Sequence, residues 1–268
     1  MNLEINELEI TYRDRVLKIS YSLRRGGEAT VLYIHGLGCS KDDFLAATEV
    51  RELKAHTLLA FDFPGCGNST YPEDMALEID DLVEITDIVV SELGLAGFVL
   101  IGHSMGGLVA LLYAEKYAEK VKAFINVEGN LGSENSTISR KVAKISFEEF
   151  NERVFPNLKE RLLAMDNTGF KRHVEILKRY SSPKAFFDYS PSLMEYSDSG
   201  KLIQRFTGLK IPKLFVYGSE NSTLSFISEL KEAGCEVAEI SGSNHFPNYD
   251  NPEEYYDVVS KFLERVLE

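Results

Sequence analysis

Phe98-Val99-Leu100-Ile101-Gly102-His103-Ser104-Met105-Gly106-Gly107-Leu108-Val109-Ala110-Leu111-Leu112-Tyr113 is the stretch that decides the fold. Its first four residues are uniformly apolar and read as a buried strand. A serine then stands at an apex between glycines, and an apolar helical run follows. This strand–turn–helix pattern forces a serine onto a tight, strained turn, so that its hydroxyl stands clear at the end of a sheet. Gly102 and Gly106 carry no side chain where strand and helix meet. The amide N–H of Met105 falls at the helix start, where it can help to bind an oxyanion. A bare Gly-x-Ser-x-Gly occurs by chance in glycine-rich loops; the flanks make this one specific.

Working outward, Leu3–Thr11 and Arg15–Leu23 read as two strands joined by a short polar turn, the antiparallel start of a sheet. Ala29–Ile34 is a continuous apolar run ending in His35-Gly36-Leu37-Gly38, and a helix is expected from about Lys41 to Lys54. Thr57–Phe63 is the next strand, running into the turn-rich Asp62-Phe63-Pro64-Gly65-Cys66-Gly67-Asn68-Ser69. Leu77–Glu92 has helical spacing, and Val121–Val127 is another buried strand after the elbow helix, which is expected to end near Tyr117. From Leu131 to Leu209 the alternation stops. The chain there is rich in charge and aromatics, with helical periodicity at Phe147, Phe150, Val154 and Phe155, then at Leu158 and Leu162. Strand Lys213–Tyr217, helix Leu224–Ala233, strand Glu236–Ile240 and helix Pro252–Leu267 resume the alternation. The order predicts an α/β fold: an eight-stranded, mostly parallel sheet with helices on both faces. Residues 1–130 and 210–268 form the core, and 131–209 a helical cap insertion. In such sheets ligands bind beyond the carboxyl ends of the strands, where every chemical motif of this chain falls.

Bulk properties narrow the function. A hydrophobic fraction of 44% over 268 residues suits a globular protein with a large core. No apolar run approaches a membrane span in length. The start, Met1-Asn2-Leu3-Glu4-Ile5, is acidic and alternating, unlike a secretory signal. A net charge of −13 argues against a nucleic-acid or anionic-membrane partner. Cys39, Cys66 and Cys235 are isolated and odd in number, forming neither a disulfide framework nor a metal cluster. A cytoplasmic protein with no metal is the expectation.

A serine hydroxyl needs a neighbouring base to become a nucleophile. Five histidines are available. His103 adjoins Ser104 but points away on a strained turn. His35 reads as a loop-holding residue, and His56 and His173 as surface or packing residues, with His173 also placed to line a pocket. His245 follows the last strand through Ser241-Gly242-Ser243-Asn244, and such a loop brings an imidazole to the sheet edge beside Ser104. The backbone N–H of Leu37, in the first glycine turn, pairs with that of Met105 as the second oxyanion donor. Asp62 reads as loop-shaping, hydrogen-bonded to nearby amides, and Cys39 and Cys66 as small packing residues.

His35-Gly36-Leu37-Gly38, Asp62-Phe63-Pro64-Gly65-Cys66-Gly67-Asn68-Ser69, Gly102-His103-Ser104-Met105-Gly106-Gly107 and Asn244-His245-Phe246 together resemble the α/β-hydrolase superfamily over essentially the whole chain. The resemblance implies a capped serine hydrolase. Ser104 attacks an acyl carbon, His245 relays the proton, and water cleaves the acyl-enzyme, with no cofactor. In that superfamily the orienting acid commonly lies just past the glycine that ends the next-to-last strand. Here the stretch is Tyr217-Gly218-Ser219-Glu220-Asn221, with an amide in the usual place. Some members, certain haloalkane dehalogenases among them, carry the acid after the strand that follows the elbow helix. Glu128, at the end of Val121–Val127, matches that position and is the favoured acid; Glu220 is the alternative. A nucleophilic serine argues against dehalogenase and epoxide-hydrolase chemistry itself.

The expected activity is cleavage of a small carboxylic ester or thioester, with an apolar acyl pocket under the aromatic-rich cap. A carbon–carbon hydrolase of the meta-cleavage type shares the serine and histidine. A ligand sensor that binds without turnover is a third reading, prompted by Asn221. The expected partner is a small-molecule substrate; nothing in the sequence fixes an oligomeric state.

Overall fold

The computed structural model describes residues 2–268, apart from the side chains of residues 135–137 and 180. Eight strands form one sheet: β1 (Leu3–Tyr12), β2 (Arg15–Arg24), β3 (Thr30–Ile34), β4 (Thr57–Phe61), β5 (Phe98–His103), β6 (Val121–Val127), β7 (Lys213–Gly218) and β8 (Glu236–Ile240). Their spatial order is β1-β2-β4-β3-β5-β6-β7-β8. β1 and β2 form an antiparallel hairpin, and β2 joins β4 antiparallel. Every later pairing is parallel. The hairpin turns on Arg13 and Asp14, whose φ values of 45° and 60° close a two-residue loop.

The apolar runs of the middle strands follow from burial on both faces. Successive side chains of a strand point to opposite sides. Leu32, Ile34, Phe98 and Leu100 therefore enter one apolar layer, with α1 (Ile79–Glu92) and α2 (Met105–Lys116). Val31, Tyr33, Val99 and Ile101 enter the other, against Val259 and Phe262 of the last helix, Pro252–Leu267.

Between β6 and β7 the chain is helical. α3 spans Thr137–Val142, and α4 (Phe147–Glu149) runs through a π-helical stretch, Phe150–Val154, into α5 (Phe155–Leu163). α6 (Thr168–Tyr180), α7 (Pro183–Asp198) and α8 (Leu202–Gly208) follow. The π-helical stretch leads straight into Pro156, which cannot donate to the helix ladder. These helices have an apolar cluster of their own, built on Phe150, Phe155, Leu158, Leu162, Leu177 and Phe186. Cys39 and Phe246, from loops at the end of the sheet, join it.

Two local expectations are corrected. The segment expected as a helix from Lys41 to Lys54 is a 3₁₀ helix over Lys41–Glu49 followed by turns. Its first residue is tethered: Asp62 accepts the Lys41 backbone N–H at 2.7 Å and its ammonium at 2.9 Å. β4 ends at Phe61 rather than Phe63, because the Phe63 N–H leaves the ladder and donates to His35 Nε2 at 3.0 Å. Asp62 also accepts the Asn68 N–H, so it ties both loops as expected of it. The ammonium of Lys41 has no signature in the sequence. Among the described residues, no helix is long and apolar enough to cross a membrane.

Lys41 and Asp62 are 2% and 0% exposed at the side chain. Removing one member of a buried ion pair strands the other charge, at a cost of about 3–5 kcal/mol. Lys41→Met should lower the unfolding free energy by that order in urea titrations, and adding Asp62→Asn should restore part of it. Unchanged stability in Lys41→Met would show that the pair contributes nothing to the loop.

Candidate active site

The turn between β5 and α2 holds Ser104 at φ 54° and ψ −123°, a conformation that side chains rarely adopt. Two close approaches keep it there. A Cβ on Gly102 would lie 2.4 Å from the Gly106 carbonyl oxygen, and one on Gly106 would lie 2.4 Å from that of Ile34. Only glycine lets α2 fold back so tightly onto β5 and β3. The Ser104 N–H donates to the Val127 carbonyl at 3.0 Å, which joins the elbow to the end of β6.

His245 reaches the same point from the loop after β8. Its Nε2 lies 3.0 Å from Ser104 Oγ. Its Nδ1 lies 3.5 Å from Glu128 Oε2. Glu128 is 1% exposed at the side chain and sits just past β6 with φ 51°, a left-handed conformation uncommon for a residue with a side chain. Its other oxygen, Oε1, accepts the Gly218 N–H at 2.7 Å and the Asn221 amide at 2.9 Å. One oxygen is thus anchored at the end of β7 while the other faces the imidazole. Such an array can relay a proton from the serine and stabilise the imidazolium that results.

Glu220 stands elsewhere. It is exposed, and its Oε2 accepts the Asn244 side-chain amide at 2.7 Å. Asn244 Oδ1 in turn accepts the His245 N–H at 2.8 Å. Glu220 therefore braces the histidine loop without meeting the ring. The geometry brings Ser104, His245 and Glu128 together and leaves Glu220 outside.

Leu37 lines the same cavity as Ser104, and a Cβ on its neighbour Gly36 would come within 3.0 Å of Ser104 Cβ, so the glycine turn abuts the elbow. The Met105 side chain is buried in the core, while its backbone opens α2. The Ser104 carbonyl accepts the amides of Gly107 and Leu108, which closes the first turn of α2.

The remaining histidines are fixed in other ways. Burial, with His245 nearby, holds His103 well below the usual imidazole range. Its neutral ring donates from Nε2 to the His245 carbonyl at 2.8 Å. His103 thus steadies the loop that carries the base. Burial lowers His173 to about 3; its ring stacks on Phe246 and lies 3.4 Å from Cys39 Sγ. Burial also lowers His35, whose Nδ1 donates to the Gly36 carbonyl of its own loop and whose Nε2 accepts the Phe63 N–H of the loop after β4. The Cys39 and Cys66 thiols are pushed up by burial, as expected of packing residues. The sequence reading missed the Asn221 amide and Gly218 N–H as holders of Glu128, and His103 as a holder of the His245 loop. An amide side chain at the superfamily's usual acid position was the one signal available for Asn221.

The cavity over Ser104 encloses about 370 Å³. Its floor is polar, with Glu128, Asn221 and His245; its walls are apolar, with Leu158, Leu162, Phe170, Phe186 and Leu193 from the helices between β6 and β7. Among the described residues, no three His, Cys, Asp or Glu side chains are grouped to hold a metal ion.

Strand order, elbow and loop positions define an α/β hydrolase. Residues 31–258 match the alpha/beta hydrolase family, and the chain belongs to it. An sn-1-specific diacylglycerol lipase of Mus musculus is 26% identical over 271 residues, covering 93% of this chain and 86% of that one. A Mycoplasma pneumoniae protein provisionally named esterase/lipase 2 is 24% identical over 250 residues, covering 88% and 89%. The solved structure of a thermophilic esterase from Thermogutta terrifontis superposes with a TM-score of 0.80 at 20% identity, over 98% of this chain and 100% of that chain. Hydrolysis is the class of reaction these relatives share.

Glu128→Gln should lower turnover by about 10⁴-fold, the loss seen when an orienting acid becomes an amide, with the fold intact by circular dichroism. Glu220→Gln should cost far less. Comparable damage from Glu220→Gln and none from Glu128→Gln would move the acid to the other residue.

Proposed function

We propose that the protein is a serine hydrolase of small carboxylic esters or thioesters, acting through an acyl-enzyme. The observation that carries this reading is Ser104 Oγ at 3.0 Å from His245 Nε2, with the buried Glu128 carboxylate behind the ring. Residues 1–130 and 210–268 are read as the catalytic core and 131–209 as its cap.

His245 takes the Ser104 proton as Oγ attacks the carbonyl carbon, and Glu128 stabilises the imidazolium. The carbonyl oxygen becomes an oxyanion facing the backbone N–H groups of Leu37 and Met105. The imidazolium gives its proton to the departing alcohol or thiol, leaving an ester on Ser104. Water then enters, His245 removes its proton, and the second tetrahedral species collapses to free acid and serine. The sum is one ester plus one water to one acid plus one alcohol or thiol. Only side chains, backbone amides and water take part, so no cofactor is invoked.

The substrate is a small molecule with an apolar acyl part, in keeping with the cavity walls of leucine and phenylalanine. Cleavage of a carbon–carbon bond would use the same serine and histidine on a different substrate. The sensor reading, prompted by the amide at 221, would require binding without turnover. The acidic charge balance and the unpaired cysteines favour the cytoplasm and no nucleic-acid or membrane partner.

Wild type should hydrolyse p-nitrophenyl acetate and butyrate, and Ser104→Ala should abolish the turnover without unfolding. Turnover that survives Ser104→Ala would overturn the reading.

A further inference from the structure

A second cavity, of about 690 Å³, is lined by α3, α5 and the π-helical stretch before α5. Ile138, Leu158, Leu162 and Met165 line both this cavity and the one over Ser104. The two are neighbours across a wall of four apolar side chains. Leu158 and Leu162 are buried, but Ile138 is 38% and Met165 50% exposed. Partly exposed apolar side chains shared by two cavities offer an apolar ligand a continuous contact surface from one to the other. The unbranched thioether of Met165 changes shape at little cost, so it suits a threshold of this kind.

The second cavity also carries cations. Lys141, Arg153 and Arg161 line it, against one acid, Glu160. Arg153 is engaged by Glu149, whereas Lys141 and Arg161 have no salt bridge among the described residues. The local charge runs against that of the chain. Residues 137–180 carry ten Lys and Arg against six Asp and Glu, while the whole protein carries 29 against 42. Cations on an acidic protein, lining a cavity that shares an apolar wall with the one over Ser104, are charge-complementary to an anion carried on an apolar chain.

We infer that the substrate is an ester or thioester whose acyl chain crosses between Ile138 and Met165 and ends in an anionic group held by Lys141 and Arg161. The inference rests on the serine-ester reading above and adds the substrate's charge and length. The scissile carbonyl sits at Ser104, the methylene chain lies along Leu158 and Leu162, and a terminal carboxylate or phosphate meets the two cations. The chemical step is unchanged: water adds across the acyl–oxygen or acyl–sulfur bond, and the anionic terminus is a handle that takes no part in it.

The test compares three p-nitrophenyl esters on wild type and on the Lys141→Ala/Arg161→Ala double variant. They are the butyrate, the mono-ester of suberic acid with its free carboxylate, and the same suberate capped as a methyl ester. In wild type at low ionic strength, kcat/KM for the free carboxylate should exceed that for the capped ester by about tenfold, the combined effect of two solvent-facing ion pairs. The preference should shrink in salt and vanish in the double variant, with butyrate turnover unchanged. An 8-phosphonooctanoate ester in place of the suberate separates the anions: the better substrate names the terminal group. Butyrate turnover with equal rates on the free and capped suberates overturns this proposal alone, as does a preference that persists in the double variant. No turnover of any ester by folded wild type overturns the serine-ester reading, and this proposal with it.

Discussion

The backbone of Ser104, held at φ 54° and ψ −123°, is the constraint on which the site depends. No residue with a side chain rests there without being forced. The force comes from the packing of α2 onto β5 and β3, close enough that glycine is required at 102 and 106. That packing is financed by the layer of Leu108, Val109, Leu111 and their neighbours beneath the sheet, all fully buried. The elbow therefore draws its stability from the core and lends its geometry to the edge. It lifts the hydroxyl clear of the sheet, opens α2 at Met105, and ties the turn to the end of β6 through the Val127 carbonyl.

The end of β6 is where this chain departs from the commoner arrangement in its superfamily. The carboxylate beside His245 comes from Glu128, one strand nearer the serine than the usual position, and Asn221 occupies that usual position. The exchange is self-consistent. A buried carboxylate needs donors, and an amide side chain with a backbone N–H supplies two of them on one oxygen. An aspartate at 221 would instead set two carboxyl groups against each other, and one would retain a proton. Glu128 also adopts a left-handed backbone conformation, the second such residue at the site after Ser104.

Much of this was legible in the residues. Strand positions were readable because parallel strands buried on both faces are apolar throughout, and Val31 to Ile34 or Phe98 to Ile101 have no other explanation. Ser104 and His245 were readable because the elbow and the loop after the last strand are local patterns. Less legible were interactions between segments far apart in the chain. Lys41 was read as part of an ordinary helix because nothing near it announces an ion pair with Asp62. The strand at Thr57 was drawn two residues too long, since the capture of the Phe63 amide by His35 is a tertiary event. The choice between Glu128 and Glu220 turned on which carboxylate the loop after β8 would meet. That depends on Asn244, which takes Glu220 for itself.

The central claim is that Ser104 is activated by His245 with Glu128 behind it. The rate of covalent labelling by a fluorophosphonate, with the modified peptide identified by mass spectrometry, tests this most directly, because it reads nucleophile activation without needing the natural substrate. The account predicts a phosphonyl adduct on Ser104, formed by displacement of fluoride, and a rate that collapses in Glu128→Gln while staying near wild type in Glu220→Gln. An adduct on another residue, or labelling of Ser104 at full rate without the Glu128 carboxylate, would contradict it.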